Sequence, residues 1–186
     1  MCTPLVGRGA SATDRAPTSS GRHDDVVEGR PLAIIDIDGV VADVRHRLHH
    51  VERPGVDWDA FFAAAVDDPS HDEGLAVVAR LAVDHEVVYL TGRPEAHRAA
   101  TERWLTENGI GGHRLVMRPD GDRRPAADLK RRLLADLAGG SEVAVVVDDD
   151  PVVIEAIAGA GHPTFHARWG GRGEVLHRVQ EVEGRS

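Results

Sequence analysis

The sequence predicts an α/β fold: a Rossmann-like three-layer sandwich with a central five-stranded parallel sheet and a small insert after the first strand. From Pro31 onward, short β-branched runs alternate with amphipathic stretches, which is typical of strands joined by helices. Asn108-Gly109 stands where a helix should stop, and Pro94 and Pro151 stand where helices should start. At 186 residues, we expect one well-cored domain.

The predicted elements follow in order along the chain. The strands cover residues 32–37, 86–90, 113–117, 142–147 and 164–166. The helices between them cover residues 74–83, 94–108, 126–138 and 151–158. Right-handed crossovers would align the carboxyl ends of the strands along one edge, where open α/β sheets bind their ligands.

Two segments fall outside this alternation. Residues 1–30 hold few large apolar side chains, so we predict a disordered tail before a domain that spans 31–186. Residues 41–73 carry Trp58, Phe61, Phe62 and a plausible helix over 57–66, and we interpret them as a flap or cap that influences substrate choice. Three histidines in this insert lack a supporting Glu or Cys set, which disfavours zinc; they are His46, His49 and His50.

Composition excludes several classes of function. The formal net charge of -9 argues against non-specific coating of nucleic acid or anionic membrane, although it allows recognition of one phosphorylated end. The one cysteine, Cys2, provides neither a disulfide framework nor a thiolate metal site. No apolar run reaches membrane-spanning length, so we expect a cytoplasmic protein without a membrane partner.

Polar side chains follow several of the predicted strands. Asp36 and Asp38 end the first strand, and alternation projects both toward one point. Thr91 follows the second strand, an acidic run at 148–150 follows the fourth, and Lys130 lies on the helix before it. Carboxylates, a hydroxyl and a lysine at one edge indicate a divalent cation, with Mg²⁺ the best match, and an anionic substrate.

Each of these positions also has a purely structural interpretation. Asp36 and Asp38 would suit an ordinary turn after a strand, and Thr91 would suit the cap of a helix beginning at Pro94. Lys130 would suit a solvated helix face. The acidic run at 148–150 would suit an N-cap with favourable charge for the next helix.

The order of these residues resembles the four motifs of the haloacid dehalogenase superfamily, over about residues 32–167. Within it, the residues around Trp104, those from Arg118 to Arg123, and Arg45-His46-Arg47 with Asp57-Trp58 are similar to the 3′-phosphatase domain of phage-type polynucleotide kinase-phosphatases. Ala126 and Val40 depart from that pattern, which has an acidic residue and usually threonine there. The sequence holds no P-loop motif, so we expect no kinase activity from it.

The resemblance implies a role for each motif residue. Asp36 would attack the phosphate and form an aspartyl-phosphate, and Asp38 would be the general acid and base. Thr91 would hydrogen-bond the phosphoryl group, and Lys130 would neutralise its charge. Mg²⁺ would be held by Asp36, Asp38 through its backbone carbonyl, Asp148 and Asp149. Substrate contacts would come from Gly92, Arg93, Arg118 and Arg123, since guanidinium groups match phosphate oxygens.

The substrate implied is a phosphorylated nucleic acid end or a nucleotide, with a separate kinase or ligase as a possible partner. A phosphatase of free nucleotides or other small phosphomonoesters remains an alternative. A non-catalytic binding module is the alternative from another class. A protein that catalyses no reaction has no chemical reason to keep all five motif residues, which are Asp36, Asp38, Thr91, Lys130 and Asp148. The oligomeric state is left open by the sequence.

Overall fold

Five parallel strands form one sheet in the order β3-β2-β1-β4-β5. The computed structural model describes residues 29–52 and 55–170, so nearly all of the predicted tail lies outside it. The strands are β1 Leu32–Ile35, β2 Glu86–Pro94, β3 Arg114–Arg118, β4 Val143–Asp148 and β5 Thr164–His166. The helices are α1 Trp58–Ala63, α2 Asp72–Leu81, α3 Arg98–Glu107, α4 Ala126–Ala138 and α5 Pro151–Gly159. The predicted α/β class is confirmed.

The central strand β1 is apolar throughout because helices cover both of its faces. Ala33 and Ile35 pack in a cluster with residues of α2 and α3, including Val78 and Trp104. Leu32 and Ile34 pack in a second cluster with residues of α4 and α5. Burial of each such aliphatic side chain contributes roughly 1.5–3 kcal/mol. The three layers hold the carboxyl end of β1 at the centre of the sheet edge.

The second strand is longer than predicted, and the helix after it begins later. β2 continues through Pro94, a 3-10 turn covers Glu95–His97, and α3 begins at Arg98. Pro94 is extended, with φ -62° and ψ 148°, and pairs with Arg118 of β3 after a register irregularity that starts at Leu90. Pairing with β3 therefore replaces the predicted helix start, and residues 91–93 lie within an irregularity of the kind common beside active sites.

The insert has its own small core. A 3-10 helix covers Arg45–His50. The single helix predicted over 57–66 is instead α1 followed by a 3-10 turn over Ala64–Asp67. The aromatic residues of α1 pack on apolar residues of the preceding 3-10 segment, including Val44 and Leu48. The ends of the insert meet, because His71 N donates to Val41 O at 2.9 Å. Within the described ranges, no helix is long and apolar enough to cross a membrane.

Candidate active site

A buried carboxylate cluster lies at the carboxyl ends of β1 and β4. Asp36 directly follows β1 and Asp148 ends β4, so the pairing of these two strands brings them together. Lys130 Nζ, from α4, lies 2.9 Å from Asp36 Oδ2 and 2.7 Å from Asp148 Oδ2. Carboxylate oxygens of Asp36, Asp148 and Asp149 all lie within 4.8 Å of one another. The structure therefore brings together four of the residues that the sequence singled out.

The charges of this cluster are unbalanced. Burial lowers the pKa of Lys130, but the carboxylates of Asp148 and Asp36 outweigh it and raise that pKa above its usual value, so the ammonium stays charged. Burial raises the pKa of Asp148, and the charge of Asp149 adds to this rise while Lys130 opposes it. Three carboxylates facing one ammonium leave excess negative charge that a divalent cation would balance. Buried hard oxygen donors fit Mg²⁺.

Asp150 has a different task from its two neighbours. Its Oδ1 accepts a hydrogen bond from Val152 N at 2.8 Å and so caps the start of α5. Its own backbone N–H donates to Asp148 Oδ1 at 2.9 Å, which helps to orient that carboxylate. The N-cap interpretation of the acidic run therefore holds for Asp150, while Asp148 and Asp149 belong to the carboxylate cluster.

The carboxylate of Asp38 contacts a second cluster, made of two arginines and one more aspartate. Asp38 Oδ1 accepts from Arg47 Nη2 at 2.7 Å and from Arg93 Nε at 2.9 Å. Asp68 accepts from the same two side chains, from Arg47 Nε at 2.7 Å and from Arg93 Nη2 at 2.8 Å. All four side chains are almost completely buried. We refer to Asp38, Arg47, Asp68 and Arg93 as the arginine–aspartate network.

Sequence reasoning assigned no role to Arg47 or Asp68, which both come from the insert. Arg47 lies 4.1 Å from the centroid of the Phe61 ring, a cation–π contact. Asp68 is fixed further by Trp104 Nε1, which donates to its backbone carbonyl at 2.8 Å, and by His46 Nε2 at 2.7 Å from Oδ1. The run Arg45-His46-Arg47 has the composition of a solvated surface, so the sequence carried little sign of a buried arginine.

The loop after Asp38 is in close contact with two other segments of the chain, residues 169–170 and Gly74. Gly39 adopts φ 79°, which favours glycine. A Cβ on Gly170 would lie 2.2 Å from Gly39 O, and a Cβ on Gly74 would lie 2.1 Å from Val40 O. Trp169 Nε1 also donates to Val40 O at 2.8 Å. Close backbone packing thus fixes the turn between the two candidate catalytic aspartates and the insert.

The remaining predicted site residues lie in the last part of β2, at the end of β3 and in the loop after β3. Thr91 is 1% exposed, and its Oγ1 accepts from Arg93 N at 3.2 Å. Gly92 O accepts from Arg118 Nε at 3.1 Å, and Arg118 Nη1 donates to Arg124 O at 2.9 Å. Arg93 and Arg118 are therefore buried in contacts within the protein, whereas Arg123 is exposed on the wall of a cleft.

The other two members of the predicted histidine group are His49, which is exposed, and His50, which is partly buried. His49 Nδ1 lies 2.9 Å from the backbone carbonyl of His46. The rings of His49 and His50 contact each other with centroids 3.9 Å apart. Within the part of the chain that the structure describes, the cluster of Asp36, Asp148 and Asp149 is the acidic or histidine group close enough to hold a metal ion.

Comparisons with known proteins agree with this fold. The chain is similar to a chain of the Pnkp1/Rnl/Hen1 RNA repair complex, with 24% identity and a TM-score of 0.63 over 81% of this chain and 46% of that one. It is similar to the haloacid dehalogenase-like protein SP0104 of Streptococcus pneumoniae, with 11% identity and a TM-score of 0.57 over 81% and 90%. It is also similar to a putative phosphoglycolate phosphatase of Lactobacillus plantarum, with 12% identity and a TM-score of 0.52 over 81% and 91%.

At these identities the solved structures support the fold, and this chain spans about half the length of the Pnkp1-complex chains. No curated protein matches the sequence. A family model described as the polynucleotide kinase PNKP phosphatase domain matches residues 31–170, which is most of the chain. The chain therefore belongs to the PNKP phosphatase-domain family of haloacid dehalogenase-type phosphatases.

Proposed function

We propose that this protein is a Mg²⁺-dependent phosphomonoesterase that acts through an aspartyl-phosphate on Asp36 and removes 3′-phosphates from nucleic acid ends or nucleotides. The observation that carries the proposal is the buried cluster in which Lys130 contacts both Asp36 and Asp148, with Asp149 beside them. A nucleophilic carboxylate needs a cation to let an anionic phosphate approach. Lys130 supplies one such charge within 2.9 Å of Asp36.

The chain's own residues account for both halves of the reaction. In the first, the Asp36 carboxylate forms a bond to phosphorus while the ester P–O bond breaks, and Asp38 gives a proton to the leaving oxygen. In the second, Asp38 takes a proton from water, which attacks the aspartyl-phosphate and releases inorganic phosphate with Asp36 restored. Thr91 would donate its hydroxyl hydrogen to a phosphoryl oxygen; its Oγ1 accepts from Arg93 N, which supports this role because the hydroxyl hydrogen is not used in that bond.

Asp36, Asp148 and Asp149 would hold the metal ion. When bound, Mg²⁺ would supply positive charge against the phosphoryl oxygens. Lys130 bridges the carboxylates of Asp36 and Asp148 and offsets the repulsion between them. The assignment of Asp38 as a further ligand through its backbone carbonyl remains part of the proposal.

The arginine–aspartate network positions the proton-transfer group. Arg47 and Arg93 donate to Asp38 Oδ1, which fixes the orientation of this carboxylate. Asp68 balances the second positive charge, and its attraction to both guanidinium groups offsets the repulsion between them. In this proposal, Arg93 orients the Asp38 carboxylate and does not contact the substrate.

Support for the 3′-phosphate substrate comes from the family and from the similar chain in an RNA repair complex. A separate kinase or ligase as partner, and a cytoplasmic location, belong to the same proposal. The test is phosphate release with Mg²⁺ from 3′- and 5′-phosphorylated oligonucleotides and from 3′- and 5′-mononucleotides. We expect the 3′-phosphorylated substrates to react fastest, and we expect Asp36→Asn to be inactive while Asp67→Asn, at an exposed position, keeps its activity.

The outcomes separate the alternatives. Equal rates on all four substrates would contradict the 3′-end assignment and favour a general phosphatase of nucleotides or small esters. Full activity in Asp36→Asn would refute the aspartyl-phosphate mechanism. Release from none of the substrates would favour the non-catalytic binding module.

A further inference from the structure

We propose that a cleft at the carboxyl ends of β2 and β3 binds the nucleoside that carries the scissile phosphate, with the base stacked on His97. This inference rests on the proposed function, because it names the part of the substrate that the same site recognises. The cleft has a volume of about 220 Å³, below the roughly 300–1,000 Å³ usual for drug-sized ligands. It therefore suits one nucleoside better than a length of strand.

The cleft lies where a nucleoside attached to the reacting phosphate would reach. Its walls come from α1 of the insert, from the turn after β2 and from the loop after β3, including Phe62, Pro94, His97, Pro119 and Arg123. Pro94 lies three residues beyond Thr91 on the same strand, and three extended residues span at most about 11 Å. Arg118, also in the wall, is bonded to Gly92 O at 3.1 Å. The cleft thus adjoins the residues that would contact the phosphoryl group.

A row of aromatic rings ends at this cleft. Trp58 and Phe62 are stacked, with ring centroids 5.7 Å apart and an interplanar angle of 21°. Phe62 in turn lies 5.5 Å from the ring of His97 at 41°. Phe62 is 3% exposed, whereas His97 is only partly buried and lines the cleft. A nucleobase on the open side of His97 would extend the row, since every base has a face that can stack.

The charge of the cleft fits a single nucleotide. Of the arginines in its wall, Arg118 is buried, bonded to backbone carbonyls and 3.9 Å from Asp122 Oδ1. Arg123 is exposed and makes no ion pair with another described residue. The charge of Asp122 is balanced by Arg124, whereas Asp120 accepts only a backbone hydrogen bond, from Ala96 N at 2.9 Å, and keeps its negative charge. Asp59 adds a negative charge at the rim. One exposed arginine beside two carboxylates that form no ion pair with a described residue, Asp59 and Asp120, offers no track for a polyanion, so the ring surface has to provide the affinity.

The test compares two substrates that differ only in the base. One is a short oligonucleotide with a normal 3′-phosphorylated nucleotide, and the other carries the 3′-phosphate on an abasic sugar. For the wild-type protein, we expect KM to be about 5- to 150-fold lower for the substrate with the base. His97→Ala should remove this preference, so that the two KM values become similar. His162→Ala is the matched control, because His162 precedes β5 at the opposite edge of the sheet.

The results test the cleft separately from the proposed phosphatase activity. If the wild-type protein hydrolyses both substrates with the same KM, or if His97→Ala keeps the preference, the cleft does not bind the base, and the phosphatase assignment stands. If neither substrate is hydrolysed, the proposed function falls and the inference falls with it. A preference that is lost in His97→Ala and kept in His162→Ala supports the inference.

Discussion

Replacing Asp68 with asparagine should destabilise the protein more than its position in an insert suggests. Asp68 has no exposed side-chain surface and accepts hydrogen bonds from Arg47 and Arg93, both also buried. Asparagine keeps the shape and removes the charge. Asp38 would then be the only network carboxylate left facing two guanidinium groups.

The magnitude follows from the cost of leaving a buried charge without its partner, about 3–5 kcal/mol. Asparagine can still accept through its amide oxygen, so we expect the lower end, about 3 kcal/mol. A domain has roughly 5–15 kcal/mol of total stability, so this loss is large but leaves the variant folded. With an m-value of about 1–3 kcal/mol/M, the urea midpoint should fall by about 1–3 M.

The assay is equilibrium unfolding in urea, with Asp67→Asn as the matched control. Asp67 is the exposed neighbour, so its substitution should change the free energy of unfolding by no more than about 0.5 kcal/mol. The double variant Arg47→Met/Asp68→Asn should cost less than the sum of its single variants by about 1 kcal/mol or more. A cost below about 1 kcal/mol for Asp68→Asn, or strict additivity, would refute the idea that the four side chains act as a unit.

Three other measurements test separate parts of the structure. Mg²⁺ at about 100 times its Kd should stabilise the wild-type protein by about 2.7 kcal/mol, measured by calorimetry. Asp148→Asn should abolish this stabilisation. If Mg²⁺ does not stabilise the wild-type protein, the carboxylate cluster is not a metal site. The hydrogen bonds and charge of Arg124 hold the pKa of Asp122 at about 2, below its ordinary 3.8. The Asp122 carboxylate therefore stabilises the folded protein at pH values above 3.8, and this stabilisation is lost as the pH falls toward 2. The stability difference between wild type and Asp122→Asn should therefore shrink from about pH 5 to about pH 3, and a constant difference would contradict the assignment. Gly170→Ala should lower phosphatase activity because its Cβ would meet Gly39 O, while Gly140→Ala, with open space around it, should not; equal effects would show that the loop can relax.

The sheet and the carboxylate cluster could be predicted from the sequence because both depend on local patterns. Asp36 and Asp148 directly follow or end buried strands, and parallel pairing with right-handed crossovers leaves little choice about where such residues meet. The end of β2 could not be predicted in the same way. Its last residues are held by pairing with β3, a long-range contact that overrides the usual preference of proline for a helix start.

Partners within the insert were also beyond the reach of sequence patterns. Arg47 and Asp68 are 21 residues apart and meet because the aromatic core of the insert folds the segment back on itself. No periodicity marks such a pair, and composition alone does not distinguish the buried Arg93 and Arg118 from the exposed Arg123. Charged residues are almost never fully buried without a partner, so their burial becomes predictable only when the partner is known.

The network changes what the insert does in the proposed mechanism. An insert at this edge of a sheet is expected to affect substrate choice, and the cleft walled by α1 agrees with that role. Arg47 and Asp68, however, connect the same segment to Asp38, the proposed proton-transfer group. A substitution in the core of the insert that shifts Arg47 should therefore alter kcat as well as KM, since the segment that shapes the cleft also positions the general acid.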